Sequence, residues 1–403
     1  MIRGTLNAEP RFAAWLIAAL FAAGCTGEPH SLKALLRQVD AATDPAAKTA
    51  AVERYLATRG ANPVVEQNSR LVFFVRDDGT GRTPRIVGDF NAWAMTPQGY
   101  DAKAGTPTRI ADTPWSYLEG TAFTNARLEY TLLFEKEAAT DPRNPRTVRT
   151  FAGARSEIRM PFFSSHPEVD GPAPALTGRV TEQAVVSRAL AGTRRMWTYV
   201  PPGYDASQEL YPTVYFLDGA NYSDWMAVPS VLDRLIAAKR VPPVIAVFVE
   251  PGNRQEEYSR NAAWRAFIAT ELVPFVDSRL RTFPAPDQRV IFGSSLGAYG
   301  ALDLAVAHPE IFGLCAAIAP PAQAATLITN QTQGQRAVTG VRFFVLGATY
   351  DTDVKGARTL RTALDEARAN VIYEEVPEGH AAETFRGHIG HALKVLVPAP
   401  PPT

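Results

Sequence analysis

Ser295 is the residue of this chain best placed to attack a carbonyl carbon. It sits in Val290-Ile291-Phe292-Gly293-Ser294-Ser295-Leu296-Gly297-Ala298-Tyr299-Gly300, where an apolar run meets a Gly-x-Ser-x-Gly turn. An Ala/Leu-rich stretch follows and reads as a helix from Ala298 to His308. A strand that feeds a serine into such a turn holds it on a strained corner with Oγ exposed, and the two glycines let strand and helix pass close together. The helix N-terminus beyond favours developing negative charge. Ser295 is the only serine with this spacing. The alternative reading of the same residues is an ordinary glycine-rich turn in a parallel sheet.

A serine hydroxyl needs a base, and the base an orienting acid, in the chain order Ser, Asp or Glu, His for a nucleophile of this kind. Both follow. The apolar strand Val341 to Leu346 ends at Gly347, and the loop beyond carries Asp351 and Asp353. A helical stretch (Gly356 to Arg368) and a last strand (Val371 to Val376) lead to Pro377-Glu378-Gly379-His380, which puts His380 in a strand-terminal loop. Asp351 is nearer its strand; Asp353 suits the N-cap of the next helix. The oxyanion donors are expected from the Leu296 N–H and from the Gly219-Ala220 turn after an earlier strand.

These loops need a sheet to carry them. From about Gly178 the chain alternates strands (through Val185-Val186, Arg194 to Val200, Thr213 to Leu217, Val244 to Val249) with helices such as Trp264 to Leu280. That pattern predicts an α/β fold, a doubly wound and mostly parallel sheet of α/β-hydrolase type. It is preceded by short alternating strands from Val64 to about Tyr130, read as a small β-sandwich of about seven strands. Leu71 to Val75 and Arg85 to Val87, separated by Asp-Asp-Gly-Thr-Gly, are expected to form a hairpin. Trp93, in Gly-Asp-Phe-Asn-Ala-Trp, is either core or a sugar contact. Ser31 to Ala42 and Asp44 to Gly60 predict two short helices, the second with Asp44 as N-cap and Pro45 at N1; they pack on the next domain or form a solvated spacer.

The expected organisation is a signal peptide over residues 1–25, a helical segment 26–63, the β-sandwich 64–165, the catalytic domain 166–397 and a Pro-rich tail 398–403. In the leader, Arg3 and Arg11 precede the apolar run Phe12 to Ala23, too short to span a bilayer, and Ala22-Ala23-Gly24-Cys25 predicts a lipoprotein-type cleavage with lipid on Cys25. The mature protein is then exported, to the periplasm or cell envelope, and meets a membrane only through Cys25. With 403 residues, 46% hydrophobic and 20% charged, the composition is that of a soluble globular protein. The zero formal net charge gives no electrostatic case for nucleic acid or an anionic membrane surface. Two cysteines exclude a disulfide framework and a cysteine-based zinc site, and Cys315 reads as a buried small hydrophobe. No metal or organic cofactor is called for; His388 and His391 share one helix face, lack a third ligand and read as surface.

Together, Tyr-x-Pro-Pro-Gly-Tyr, Phe-Leu-Asp-Gly, Arg254-x-x-Glu257-Tyr258, Glu271-Leu272-Val273-Pro274, Gly-Ser-Ser-Leu-Gly and Glu-Gly-His resemble the putative esterase family of enterochelin, feruloyl and acetylxylan esterases and mycolyltransferases. The front domain resembles the immunoglobulin-like early-set domains, which with Asp-Pro-Arg-Asn-Pro and Ser-Glu-Ile-Arg-Met-Pro makes the enterochelin-esterase branch most similar, over about residues 64–395. The resemblance implies Ser295 as nucleophile, His380 as base and Asp351 as acid. Ala298 stands where a second glycine is common, and Ala381 to Arg386 replaces a stretch that often holds two tryptophans, a departure that leaves the implied triad intact and bears on substrate preference. The implied activity is that of a serine esterase on a bulky organic ester, a small molecule such as a siderophore lactone. A carbohydrate-linked ester, acyl transfer, or a non-catalytic envelope binding protein are the alternatives. Tyr222 and Trp225 are expected to offer flat apolar surface to it, and Arg254, Arg260 and Arg386 forked hydrogen bonds.

Overall fold

A computed structural model describes residues 29–397, apart from 78, 80–81, 151–152, 334–337 and 339. The leader, Cys25 and the Pro-rich tail lie outside the described residues. Among those described, no helix is long and apolar enough to cross a membrane.

The larger layer is an eight-stranded sheet flanked by helices on both faces. Six consecutive strands, running across the sheet to its far edge as Ile245–Val249, Thr213–Leu217, Arg289–Ser294, Leu314–Ile318, Arg342–Ala348 and Asn370–Val376, are all parallel. Arg179–Ser187 and Gly192–Val200 extend one edge as an antiparallel pair. Helices covering both faces explain why the central strands read as unbroken apolar runs rather than as alternation. Side chains on the two faces feed two separate cores, one around Tyr215, Ile291 and Val345, the other around Phe216, Phe292 and Phe344. Cys315 is fully buried in the first, where burial pushes its thiol upward in pKa. The helix Leu296–Ala307 is apolar on all sides and buried along most of its length, as a helix sandwiched between sheet and neighbouring helices must be. This is the α/β-hydrolase architecture.

In front of it stands a small immunoglobulin-like sandwich. One sheet orders Val64–Glu66, Arg70–Arg76, Trp115–Thr121 and Thr108–Arg109; the other orders Thr147–Thr150, Gly153–Arg159, Arg127–Phe134 and Arg85–Gly88, with Glu137–Ala139 against Arg127–Phe134. The hairpin expected between Leu71 to Val75 and Arg85 to Val87 does not form. Arg70–Arg76 pairs with Trp115–Thr121, whereas Arg85–Gly88 pairs with Arg127–Phe134 in the opposite sheet. Both strands bury most of their residues, and each is therefore placed by the core of its own sheet. Two helices, Leu32–Ala41 and Pro45–Arg59, cover the outer face of the first sheet, burying Leu35, Val52 and Tyr55 against Val72, Phe74 and Trp115. Asp44 accepts from the Ala46 and Ala47 amides at the start of the second helix.

The sandwich touches the loops that matter. Arg127 donates its backbone N–H to the Pro377 carbonyl at 3.1 Å, and the Phe123 N–H is donated to the Tyr350 hydroxyl at 2.8 Å. Gly379 packs on the Asp89 carboxyl so closely that a Cβ there would lie 2.2 Å from it. The segments before Asp351 and before His380 are therefore both held by the front domain.

Candidate active site

Ser295 closes the strand Arg289–Ser294 and caps the helix Leu296–Ala307, with φ 55° and ψ −128°. A side chain other than glycine at positive φ is strained by about 1–3 kcal/mol and persists where its surroundings over-determine it. Two contacts hold it: the Ser295 N–H donates to the Ile318 carbonyl at 2.9 Å, and the helix start crosses the strand so tightly that a Cβ on Gly293 would fall 2.1 Å from the Gly297 oxygen. The helix begins at Leu296, so that amide belongs to a first turn whose N–H groups have no partner within the helix.

The loop after the last strand carries His380, whose Nδ1 lies 2.6 Å from Asp351 Oδ2. Asp351 comes from the loop after the neighbouring strand Arg342–Ala348. Its side chain is 4% exposed, while the histidine side chain is 39% exposed. The other carboxylate oxygen accepts the Asp353 N–H at 2.9 Å, fixing the loop. Asp353 stands at the N-cap of the helix Val354–Glu366, as expected, but its side chain makes no capping bond. The His380 ring also meets Phe385 edge-on, with centroids 5.1 Å apart. Ser295 and His380 line one cavity of about 270 Å³.

The turn after Thr213–Leu217 differs from expectation. The Ala220 N–H is donated to Glu250 at 2.7 Å, so it is not available to an oxyanion, and Gly219 is the remaining donor of the pair. Burial raises the pKa of that Glu250 carboxyl against the opposing effect of the Ala220 amide. Gly219 has no room for a side chain: a Cβ would lie 2.8 Å from the Phe248 and Val249 backbone. Just before it, Asp218 (φ 64°) is buried and binds Arg254 in a two-pronged pair of 2.6 and 2.8 Å, both residues facing the cavity.

The expected ligand contacts separate. Trp225 and Arg254 line the cavity. Tyr222 does not: it is fully buried among Phe216 and Phe292 and donates to Ser294 Oγ at 2.8 Å, because the helical turn that follows Gly219 points it into the core. Arg260 is exposed at a positive-φ position and lines no part of the cavity. Arg386 binds Glu383 at 2.7 Å and lines a second, adjoining cavity of about 330 Å³ that shares Trp225 and Met226 with the first. His388 is not on the surface either; it is buried and bonded to Glu378 at 2.9 Å, while His391 is half-exposed and bonded to Glu374.

The front domain supplies a wall that the sequence did not announce: Glu129, Thr150 and Arg155. Arg155 stacks over the Trp93 ring at 4.2 Å and reaches Glu129 at 3.3 Å. Trp93 in turn donates to Asp89 at 2.7 Å, so it braces the wall rather than presenting a free face. No local signal marks these positions; they lie on strands whose alternation speaks only of the sandwich. Asp218 had a signal, as the polar residue of an Asp-Gly turn at a strand end.

Residues 187–381 match the family described as "Putative esterase". The iron(III) enterobactin esterase of Escherichia coli K12 is 26% identical over 271 residues, 64% of this chain and 67% of its own length. The structure of ferric enterobactin esterase from Salmonella typhimurium superposes with a TM-score of 0.72 at 20% identity, over 85% of this chain and 98% of that one. The enterobactin esterase from Shigella flexneri, solved in the presence of enterobactin, gives 0.69 at 21% identity, over 85% and 97%. The protein is a carboxylic ester hydrolase on an α/β-hydrolase fold. Within that class it is similar to the enterochelin esterases, with a β-sandwich in front.

Proposed function

We propose that the chain is a serine esterase working through Ser295, His380 and Asp351 with an acyl-enzyme intermediate, on a bulky multi-ring ester of which a siderophore lactone is the first choice. The observation that carries the reading is the short bond from a buried Asp351 to His380, on a histidine whose ring opens on the cavity of a strained serine. Asp351 fixes the tautomer with the proton on Nδ1, which leaves Nε2 to take the Ser295 proton as Oγ attacks the ester carbon. The oxyanion meets the Leu296 and Gly219 amides. The imidazolium, stabilised by Asp351, then protonates the leaving alcohol, and water activated by the same histidine releases the acid. None of these steps draws on a metal.

Size and charge support the substrate class. Two joined cavities with Trp225 at their junction suit an ester with several arms better than an acetyl group. Three of the arginines are matched by an acid, Arg254 by Asp218, Arg155 by Glu129 and Arg386 by Glu383, and Arg149 and Arg159 line the second cavity together with Glu157 and Asp170. Such walls offer forked donors without net positive charge, which favours catechol-like oxygens over a free polyanion. The protein is also proposed to be exported and anchored through Cys25; mass spectrometry of the mature N-terminus from an envelope fraction, showing a diacylglyceryl cysteine, tests this.

Activity is tested by turnover of a catecholate trilactone, feruloyl and acetyl sugars, and short p-nitrophenyl esters, with acyl acceptors added in a parallel arm. Preferred cleavage of the trilactone is expected. Preference for a sugar ester or transfer to the acceptor would replace the substrate reading, and no turnover of any ester would leave a binding protein. Removing the front domain is a poor test, because it strips contacts from the Asp351 and His380 loops; Arg155→Ala keeps them and should raise KM for the trilactone more than for p-nitrophenyl acetate.

A further inference from the structure

Three segments distant in sequence meet beside the catalytic loop. His166 is the N-cap residue of a short helix, Pro167–Asp170, in the crossing between the domains. Glu378 lies two residues before His380. His388 joins the helices Ala382–Gly387 and Ile389–Leu396. His388 Nε2 is 2.9 Å from Glu378 Oε1, and His166 Nε2 is 3.7 Å from the same oxygen. The three ligand atoms all lie within 4.8 Å of one another. Two imidazole rings meet edge to face with centroids 4.8 Å apart.

Hydrogen bonding does not account for this cluster. His166 Nε2 and Glu378 Oε2 are both buried without a hydrogen-bond partner, although the Glu378 side chain is only 4% exposed. Leaving such groups unpaired is costly in a buried setting. Burial raises the Glu378 pKa, but the two imidazoles and the Arg127 guanidinium outweigh it and hold the group below the usual carboxylate range. The charge of Arg127 itself is already met by Glu157 at 2.6 Å and Glu129 at 3.3 Å. Close approach is also built in: a Cβ on Gly387 would come within 2.9 Å of the His166 ring.

We propose that His166, Glu378 and His388 form a binding site for one divalent first-row metal ion, zinc by preference, that ties the interdomain crossing to the His380 loop. Two imidazoles and one carboxylate are a donor set suited to zinc, with a fourth position for water. Ligand atoms about 2.0–2.1 Å from a tetrahedral ion stand roughly 3.3 Å apart, so the observed spacings need shifts of well under 2 Å. A cation would satisfy the orphaned His166 nitrogen and pin the segment on which His380 rides. The role is positional: the ion does not enter the ester chemistry, and the proposal stands whether or not the substrate reading does.

The test uses untagged full-length protein, stripped with chelator, then given Zn²⁺ or Co²⁺ and freed of excess by gel filtration. One equivalent of zinc per chain is expected by elemental analysis. A visible cobalt spectrum of low-coordinate N/O type and a thermal midpoint several degrees higher with zinc than without should accompany it. His166→Ala and Glu378→Gln should each lose the equivalent and the thermal shift, while Ser295→Ala and His391→Ala keep both. His166 sits at the edge of the crossing, so its variant remains informative if Glu378→Gln does not fold. Less than half an equivalent in the wild type, or zinc retained by folded His166→Ala, would overturn the site.

Discussion

Two histidine–carboxylate pairs stand on either side of one short loop, and they are built for different ends. His380 with Asp351 and His388 with Glu378 have nearly the same spacing, 2.6 and 2.9 Å, and in both the acid is 4% exposed. The difference lies beyond the acid. The His380 side chain is 39% exposed and faces the cavity of Ser295, whereas that of His388 is 11% exposed and faces another imidazole. A base needs one nitrogen held and the other free to meet substrate. A structural or metal-binding pair needs both ends enclosed. Distance and residue type alone therefore do not identify a catalytic dyad; what the far nitrogen meets does.

The comparison breaks most sharply at the proposed nucleophile and base. Ser295→Ala and His380→Ala should each cut kcat by about 10⁵-fold or more while the far-ultraviolet spectrum and thermal midpoint stay near wild type. Wild-type turnover in a folded Ser295→Ala protein would refute the elbow assignment. Asp351→Asn should follow at roughly 10³- to 10⁴-fold, and Asp353→Asn within tenfold, since only Asp351 reaches His380. The reverse order would move the acid to Asp353.

On the other side of the loop the loss should appear as stability. Glu378→Gln is expected to lower unfolding free energy by about 1–3 kcal/mol in metal-free protein, with kcat reduced less than tenfold. If kcat fell as far as in His380→Ala, the two pairs would not be distinct in role.

A third, smaller effect tests the contact between domains. The Asp89 carboxyl, fully enclosed under Gly379, is pushed up to about 7 by burial against the Glu129 and Trp93 N–H groups it accepts, with the Glu129 charge adding to the rise. Its unfolded value is about 4, so the folded chain holds an extra proton between these values. The stabilising contribution is fully present below about pH 4 and is lost as pH rises through about 7. Urea unfolding of wild type and Asp89→Asn across this range should show a flatter pH slope in the variant; parallel slopes would mean that Asp89 does not titrate there. The smallest effect is expected for Tyr350→Phe, about 1 kcal/mol or less, from the lost bond to the Phe123 amide.

The residues alone pointed to the elbow, the two acids of the following loop and His380 as candidates, because each signal is local: an apolar run, a glycine turn, a polar residue at a strand end. The unbroken apolar strands likewise announced a sheet covered on both faces. Pairing was not local. Alternation says which face of a strand is buried but not which sheet it joins, so Arg85–Gly88 was expected beside Arg70–Arg76 and lies across the sandwich instead. Nor could spacing show that one turn of backbone buries Tyr222 and leaves Trp225 at the cavity, or that Glu250 takes the Ala220 amide. His388 was read with its helical neighbour His391, when its partners come from the crossing and the catalytic loop. Chemistry carried by one turn of chain is written in sequence. Chemistry assembled from the front domain, the crossing and the C-terminal helix exists only once two hydrophobic cores have brought those segments together.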